Sequence, residues 1–224
     1  MPSGGRGRIS ATPRKTKSTA DRESLGAGGV WAPRFTAAIP AGGAGVSFMI
    51  QGIYTYIRTT DPDDAPVLHS LYDLRRPRAA LLDMRREPMM PTVDELREML
   101  GRKEAVRGAF FTIENRVGEI IGFCGLRGVS AEARFAETTL MMCEESDCAG
   151  PEASEAIAFL QNRGFNWLRM RKLIAHCLDR ETALRGALLR HGFQSEGVQR
   201  EVLYAAGRRH NLEVLSLFAR KAGG

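Results

Sequence analysis

Three β-rich runs at hairpin spacing, residues 109–114, 119–126 and 133–143, lead into a helical pattern that begins at Pro151. The first two flank a turn through Asn115 and Gly118, residue types that accept the tight backbone of a hairpin. They therefore predict an antiparallel sheet, to which the third run adds. From Pro151 the apolar period changes from two to 3.6, with Ala153, Ala156, Ile157 and Leu160 on one face until Gly164. A helix that follows a strand directly, after antiparallel strands, fits an α+β domain.

The flanking segments extend the pattern. Residues 52–59, GIYTYIRT, alternate as a strand does. Thr60 or Asp61 can cap a following helix with Pro62 in its first turn and apolar Val67, Leu68, Leu71 and Leu74 at helical spacing. Thr92 with Glu95 forms a capping box ahead of Leu96, Met99 and Leu100, a helix that stops at Gly101. Residues 173–178 read as a short buried strand, residues 180–191 as a helix closed by Gly192, and residues 194–218 as two strands around Gly207.

Composition separates the ends of the chain. Of 224 residues, 43% are hydrophobic and 26% charged, enough for a packed core. The first 48 residues carry seven Arg or Lys against Asp21 and Glu23, so a net charge of +6 resides almost wholly in that leader. We expect residues 1–48 to be a disordered basic leader and residues 49–224 to be one domain; an organelle address and an ordered arm are the alternatives for the leader. The nearly neutral body argues against a nucleic-acid partner. The longest uncharged stretch, residues 35–50, is too short and too rich in Gly and Pro to span a bilayer. Cys124, Cys143, Cys148 and Cys177 lack any CxxC spacing, which points to reduced thiols in the cytoplasm.

Four short motifs in order carry a resemblance. His191-Gly192-Phe193-Gln194-Ser195-Glu196-Gly197 with Arg200, then Gly207 to His210-Asn211, looks like the GF..EG..R......G..hD signature of the RimJ/RimL branch (ribosomal-protein alanine acetyltransferases) of the GNAT superfamily, with Asn211 in place of Asp. Ile121-Gly122 to Gly125-Leu126 resembles the branch's IG..GL strand, and Ala136-Glu137-Thr138-Thr139-Leu140 its AEIGY strand. The resemblance covers about residues 52–218 and implies a GNAT-like (acyl-CoA N-acyltransferase) fold, a mixed, mostly antiparallel sheet flanked by helices. It also implies transfer of acetyl from acetyl-CoA to a primary amine, on a protein N-terminus or a small molecule, by direct attack on the thioester.

The same resemblance implies a site. The cofactor's pantetheine arm would pair along Met141, Met142 and Cys143, and its pyrophosphate would sit at the helix start formed by Cys148, Ala149, Gly150, Ala153 and Ser154, where backbone N–H groups and the helix dipole favour an anion. Pro151 stands where the family has Gly and offers no N–H. Glu137 is the implied base, its pKa raised by burial; a strand glutamate facing solvent or serving as a structural acceptor is the alternative, as core packing is for Met141 and Met142. Glu181 and Leu188 occupy the places of the superfamily's frequent Asn and proton-donating Tyr. A degenerate module that senses a ligand or binds a protein is therefore the competing function. His176 beside Cys177 does not suggest a metal, because strand neighbours face opposite sides. The runs Arg75-Arg76-Pro77-Arg78, Arg85-Arg86 and Arg208-Arg209 are simplest as solvated faces, with contact to cofactor phosphates or an acidic substrate as the alternative. No metal is expected, and the chain is expected to be a monomer or homodimer.

Overall fold

The structure is a computed structural model, and it describes residues 36–38, 49–73, 76–81, 91–101 and 110–219. All of them belong to one unit, Trp31–Gly224. Along the chain come β1 (Thr36–Ala38), β2 (Met49–Gln51), β3 (Thr55–Thr59), α1 (Ala65–Ser70), α2 (Val93–Gly101), β4 (Phe110–Asn115), β5 (Ile120–Ser130) and β6 (Phe135–Met142). They continue with α3 (Pro151–Asn162), β7 (Lys172–Leu178), α4 (Thr182–Arg190), β8 (Gln194–Ala205) and β9 (Arg208–Phe218).

Among the described residues the strands form one nine-stranded sheet in the order β1-β2-β3-β4-β5-β6-β7-β9-β8. Every neighbouring pair is antiparallel except β6 with β7. A parallel pair needs a crossover, and α3 supplies it. The expected mixed sheet flanked by helices is what the chain forms. Within the segment read as the leader, Thr36–Ala38 pair with Met49–Gln51 as a strand of the sheet. The remainder of that segment, like Leu74, Arg75, Arg85 and Arg86, lies outside the described residues.

Strand parity divides the core. Cys124, Leu126, Leu140, Met142, Leu173 and Cys177 meet α3 and α4 on one face, where Ala153, Ala156, Ile157, Leu160, Leu184 and Leu188 are buried. Phe123 and Met141 lie on the opposite face with Leu68 of α1, Leu71 at its C-cap and Leu96 of α2. The capping box at Thr92 forms, with Thr92 N donating to Glu95 Oε2 (2.7 Å) and Glu95 N donating to Thr92 Oγ1 (3.2 Å). The first helix is shorter than its apolar pattern: a 3-10 turn, Pro62–Asp64, precedes α1, and Asp61 is its cap. Gly192 closes α4 at φ 87°, a left-handed conformation that lets Phe193 N bond back to Leu188 O.

Glu155, on α3, is fully buried and joins the helix to the segment before β3. Its carboxylate accepts from Ile53 N, Tyr54 N, Thr55 N and Thr55 Oγ1, at 2.6 to 3.0 Å. Gly52 passes directly against that carboxylate, where a Cβ would collide with both oxygens and the carbon between them. The residues that read as the first half of a strand thus form a carboxylate-binding turn instead.

Candidate active site

The β6–β7 ladder is short. It runs from Phe135↔Lys172 to Thr138↔Ala175 and stops, while β6 continues to Met142 along β5 and β7 continues to Leu178 along β9. The two strands therefore diverge and leave main-chain groups facing a gap. Arg78, from the 3-10 turn Pro77–Leu81, enters that gap. Its guanidinium donates to His176 O (2.9 Å) and Leu140 O (3.5 Å), one carbonyl from each diverging strand, and forms a bidentate pair with Glu181. Glu181 Oε2 also accepts from Leu178 N at 2.8 Å. Burial alone would lower the Arg78 pKa, but the Glu181 charge and hydrogen bonds outweigh it and raise the pKa above the ordinary arginine value.

Among the described residues, three cavities are lined by Arg78. The largest, about 320 Å³, is lined by Met141, Met142, Cys148, Glu181, Leu184 and His210 among others. A second, about 10 Å³, lies behind the gap against Leu184, Leu188 and Phe193. A third, also about 10 Å³, lies among Leu81, Arg127, Glu137 and His176.

Glu137 of β6 faces the third cavity. Its Oε1 accepts from Arg127 Nη2 of β5 and from His176 Nδ1 of β7, the latter at 2.7 Å. Burial pushes its pKa up, as the sequence predicts, but the hydrogen bonds and charges of His176 and Arg127 win and hold the carboxyl at about 2. The raised pKa expected for a base is thus corrected: this carboxylate is ionised throughout the neutral range.

The other site residues separate into two groups. Met141, Met142, Cys148 and Ala153 have buried side chains, so the first three line the large cavity only from within the core. Cys143 is half-buried, with Sγ 3.7 Å from Ile120 O. Ala149 is exposed and Gly150 is the N-cap of α3. Ser154 N donates to Gly150 O and Pro151 has no N–H, so the amides of Glu152 and Ala153 are the ones the first turn leaves without an intrahelical partner. Ser154 Oγ lies 2.6 Å from His191 Nε2, whose pKa burial lowers.

Desolvation raises the cysteine thiols, Cys148 to about 11 and Cys177 to about 12, so both stay protonated at neutral pH and are poor nucleophiles. All four cysteines are free. Among the described residues no group of three His, Cys, Asp or Glu side chains could hold a metal ion, and no helix is long and apolar enough to cross a membrane.

Sequence reasoning put Arg78 on a solvated face, which its buried pair with Glu181 corrects, and it missed Arg127 and the pairing of His176 with Glu137. Local spacing carries no sign of Arg78 reaching the gap from a remote turn. The His176 contact follows only from the strand register: Glu137 aligns with Ile174, and parity then puts His176 on the Glu137 side of the sheet. The signature residues of 191–211 serve the C-terminal hairpin: Phe193 is core, and Asn211 Oδ1 accepts from Glu201 N (3.0 Å).

A mixed sheet whose one parallel pair diverges beside a crossover helix defines the GNAT, or acyl-CoA N-acyltransferase, fold. The model of the acetyltransferase (GNAT) domain matches residues 55–194, and the chain belongs to that family, among acetyl-CoA-dependent N-acetyltransferases. Solved structures agree in fold. The spermidine N-acetyltransferase of Vibrio cholerae, in complex with CoA and spermine, superposes with a TM-score of 0.63 at 19% identity, covering 73% of this chain and 95% of that one. The spermidine/spermine N-acetyltransferase SpeG of Vibrio cholerae, in complex with manganese ions, gives 0.61 at 20% identity, covering 74% and 92%. A probable acetyltransferase gives 0.62 at 22% identity, covering 75% and 94%. No curated protein matches the chain by sequence.

Proposed function

We propose that this chain transfers acetyl from acetyl-CoA to a primary amine, on a protein N-terminus or a small molecule, by direct attack of the amine on the thioester. The observation that carries the reading is the divergence of β6 and β7, which leaves Thr139 to Met142 of β6 without a β7 partner beside the 320 Å³ cavity that Met141 and Met142 line. An extended ligand arm there is held by main chain, so side-chain identity along β6 matters little. Ala149, Gly150 and the first-turn amides of α3 fit a pyrophosphate, with one amide fewer because of Pro151. Protonated thiols at Cys148 and Cys177 favour direct transfer over an acetyl-cysteine route. In this reading the amine lies on the Glu137 side of the sheet, beside the third cavity. The RimJ/RimL subtype rests on the motifs of residues 191–211, and a reducing, cytoplasmic setting rests on the free cysteines.

A second reading has one specific observation behind it. The Arg78 guanidinium fills the gap and is satisfied there by Glu181 and two carbonyls, as in a module that binds a ligand without turnover. Calorimetry with acetyl-CoA and desulfo-CoA, followed by acetyl-CoA consumption with a panel of amines and N-terminal peptides, separates the two. Binding with turnover supports the enzyme, and binding with no turnover on any acceptor supports the module. No binding of either cofactor form removes the acetyl-CoA site.

A further inference from the structure

We infer that His176 is the proton acceptor of the acetyl-transfer site and that Glu137 is a positioning residue acting through it; the inference rests on the acetyl-transfer reading above. The geometry begins with the tautomer. An ionised carboxylate only accepts hydrogen bonds, so the 2.7 Å contact between His176 Nδ1 and Glu137 Oε1 places the ring proton on Nδ1. The neutral ring then carries its lone pair on Nε2, and among the described residues no group bonds to Nε2.

Placement follows from the ladder. Thr138↔Ala175 is the last β6–β7 pair, so His176 is the first β7 residue past the divergence, and its own carbonyl borders the gap. Parity puts its ring on the Glu137 face, the face that α1 and α2 cover. An acceptor amine at the gap would therefore meet Nε2 before it met the carboxylate.

The charges around the ring come in cancelling pairs. Glu137 on β6 faces it and is matched by Arg127 on β5; Arg78, on the Pro77–Leu81 turn, bonds its carbonyl and is matched by Glu181 beside α4; Val214 lies opposite on β9. The lone pair on Nε2 can take a proton and return it, whereas a carboxylate as acidic as Glu137 holds one poorly. In the step, the amine nitrogen bonds to the carbonyl carbon as the carbon–sulfur bond breaks. One N–H proton passes to Nε2, and the imidazolium then returns it to the departing thiolate, restoring the neutral ring. This accounts for a site with Leu188 where the superfamily often has Tyr.

The test uses the full chain and three readouts. For the natural protein, kcat/KM for acetyl-CoA with an accepted amine should fall on the acid side through a single ionisation. In His176→Gln that limb should disappear and kcat should drop about 10²-fold, with KM and coenzyme A affinity unchanged. Glu137→Gln should displace the limb, and Glu137→Asp should recover part of the loss. Nitrogen-15 NMR of the natural protein should show His176 as the Nδ1–H tautomer, a readout independent of turnover. Unchanged kcat in His176→Gln, or an Nε2–H tautomer, would overturn this role and leave acetyl transfer standing. Cofactor binding with no turnover by the natural protein would overturn acetyl transfer itself and this role with it.

Discussion

Arg78 and Glu181 form a bidentate ion pair inside the gap where β6 and β7 part, with side chains only 14% and 6% exposed. A buried pair of this kind is worth little against an apolar substitute, but breaking it strands a charge. Arg78→Met should lower unfolding free energy by about 3 kcal/mol, and Arg78→Met with Glu181→Leu should recover most of it. Urea unfolding of the single and double variants decides the matter. Additive losses would mean that the two side chains do not share one interaction.

Glu155 holds the segment before β3 through four hydrogen bonds, and Gly52 leaves room for it. Gly52→Ala should displace the carboxylate and cost about 2 to 4 kcal/mol, although alanine is usually favourable in replacing glycine. Glu155→Ala should cost at least as much, because three backbone donors lose their partner. Melting temperatures of both variants test this, and a stable Gly52→Ala protein would place Glu155 elsewhere.

The folded pKa of Glu137 lies at about 2, below its unfolded value near 4.5. A depressed carboxyl pKa contributes stability that is complete above the unfolded value and is lost as pH falls through the window from about 4.5 to 2. The contribution is at most about 3 kcal/mol. Comparing the acid unfolding of the natural protein with that of Glu137→Gln should show a shallower pH slope in the variant across that window. Identical slopes would show that the His176 and Arg127 contacts do not persist in solution.

Ala149 is exposed beside the start of α3, so Ala149→Glu changes local charge without touching the core. If the pyrophosphate lies there, coenzyme A affinity should fall roughly tenfold, the upper range for a charge at a helix terminus. Dephospho-coenzyme A retains the pyrophosphate and should show the same fall. Unchanged affinities by calorimetry would move the phosphates to another part of the cavity.

Much of the fold was legible because periodicity reports which side of an element is buried. The runs at 109–114, 119–126 and 133–143 became β4, β5 and β6, and the pattern from Pro151 became α3, with Ala153, Ala156, Ile157 and Leu160 all buried. Legibility failed where a side chain far along the chain decides the local structure. Residues 52–54 alternate like a strand, yet Glu155, about one hundred positions away, draws their amides into a turn. β1 is three residues long and lies in a Gly-rich stretch, below what a period-two pattern can reveal. Glu137 was found through a strand motif, but its pKa depends on Arg127 and His176 from two neighbouring strands, and neither spacing nor composition encodes that pairing.

The short β6–β7 ladder has a mechanical consequence. One set of strands, β1 to β6, hangs together by antiparallel hydrogen bonds, and a second set, β7, β9 and β8, does likewise; four residue pairs, the Glu137–His176 and Thr138–Ile174 hydrogen bonds, α3 and the Arg78 guanidinium are among the links between them. The sheet is stiff within each set and compliant at the seam, where opening exposes few hydrogen bonds. A molecule lodged in the gap acts as a strut between the sets. Its binding is then felt in slower amide exchange along β6 and β7 together, at residues it never touches.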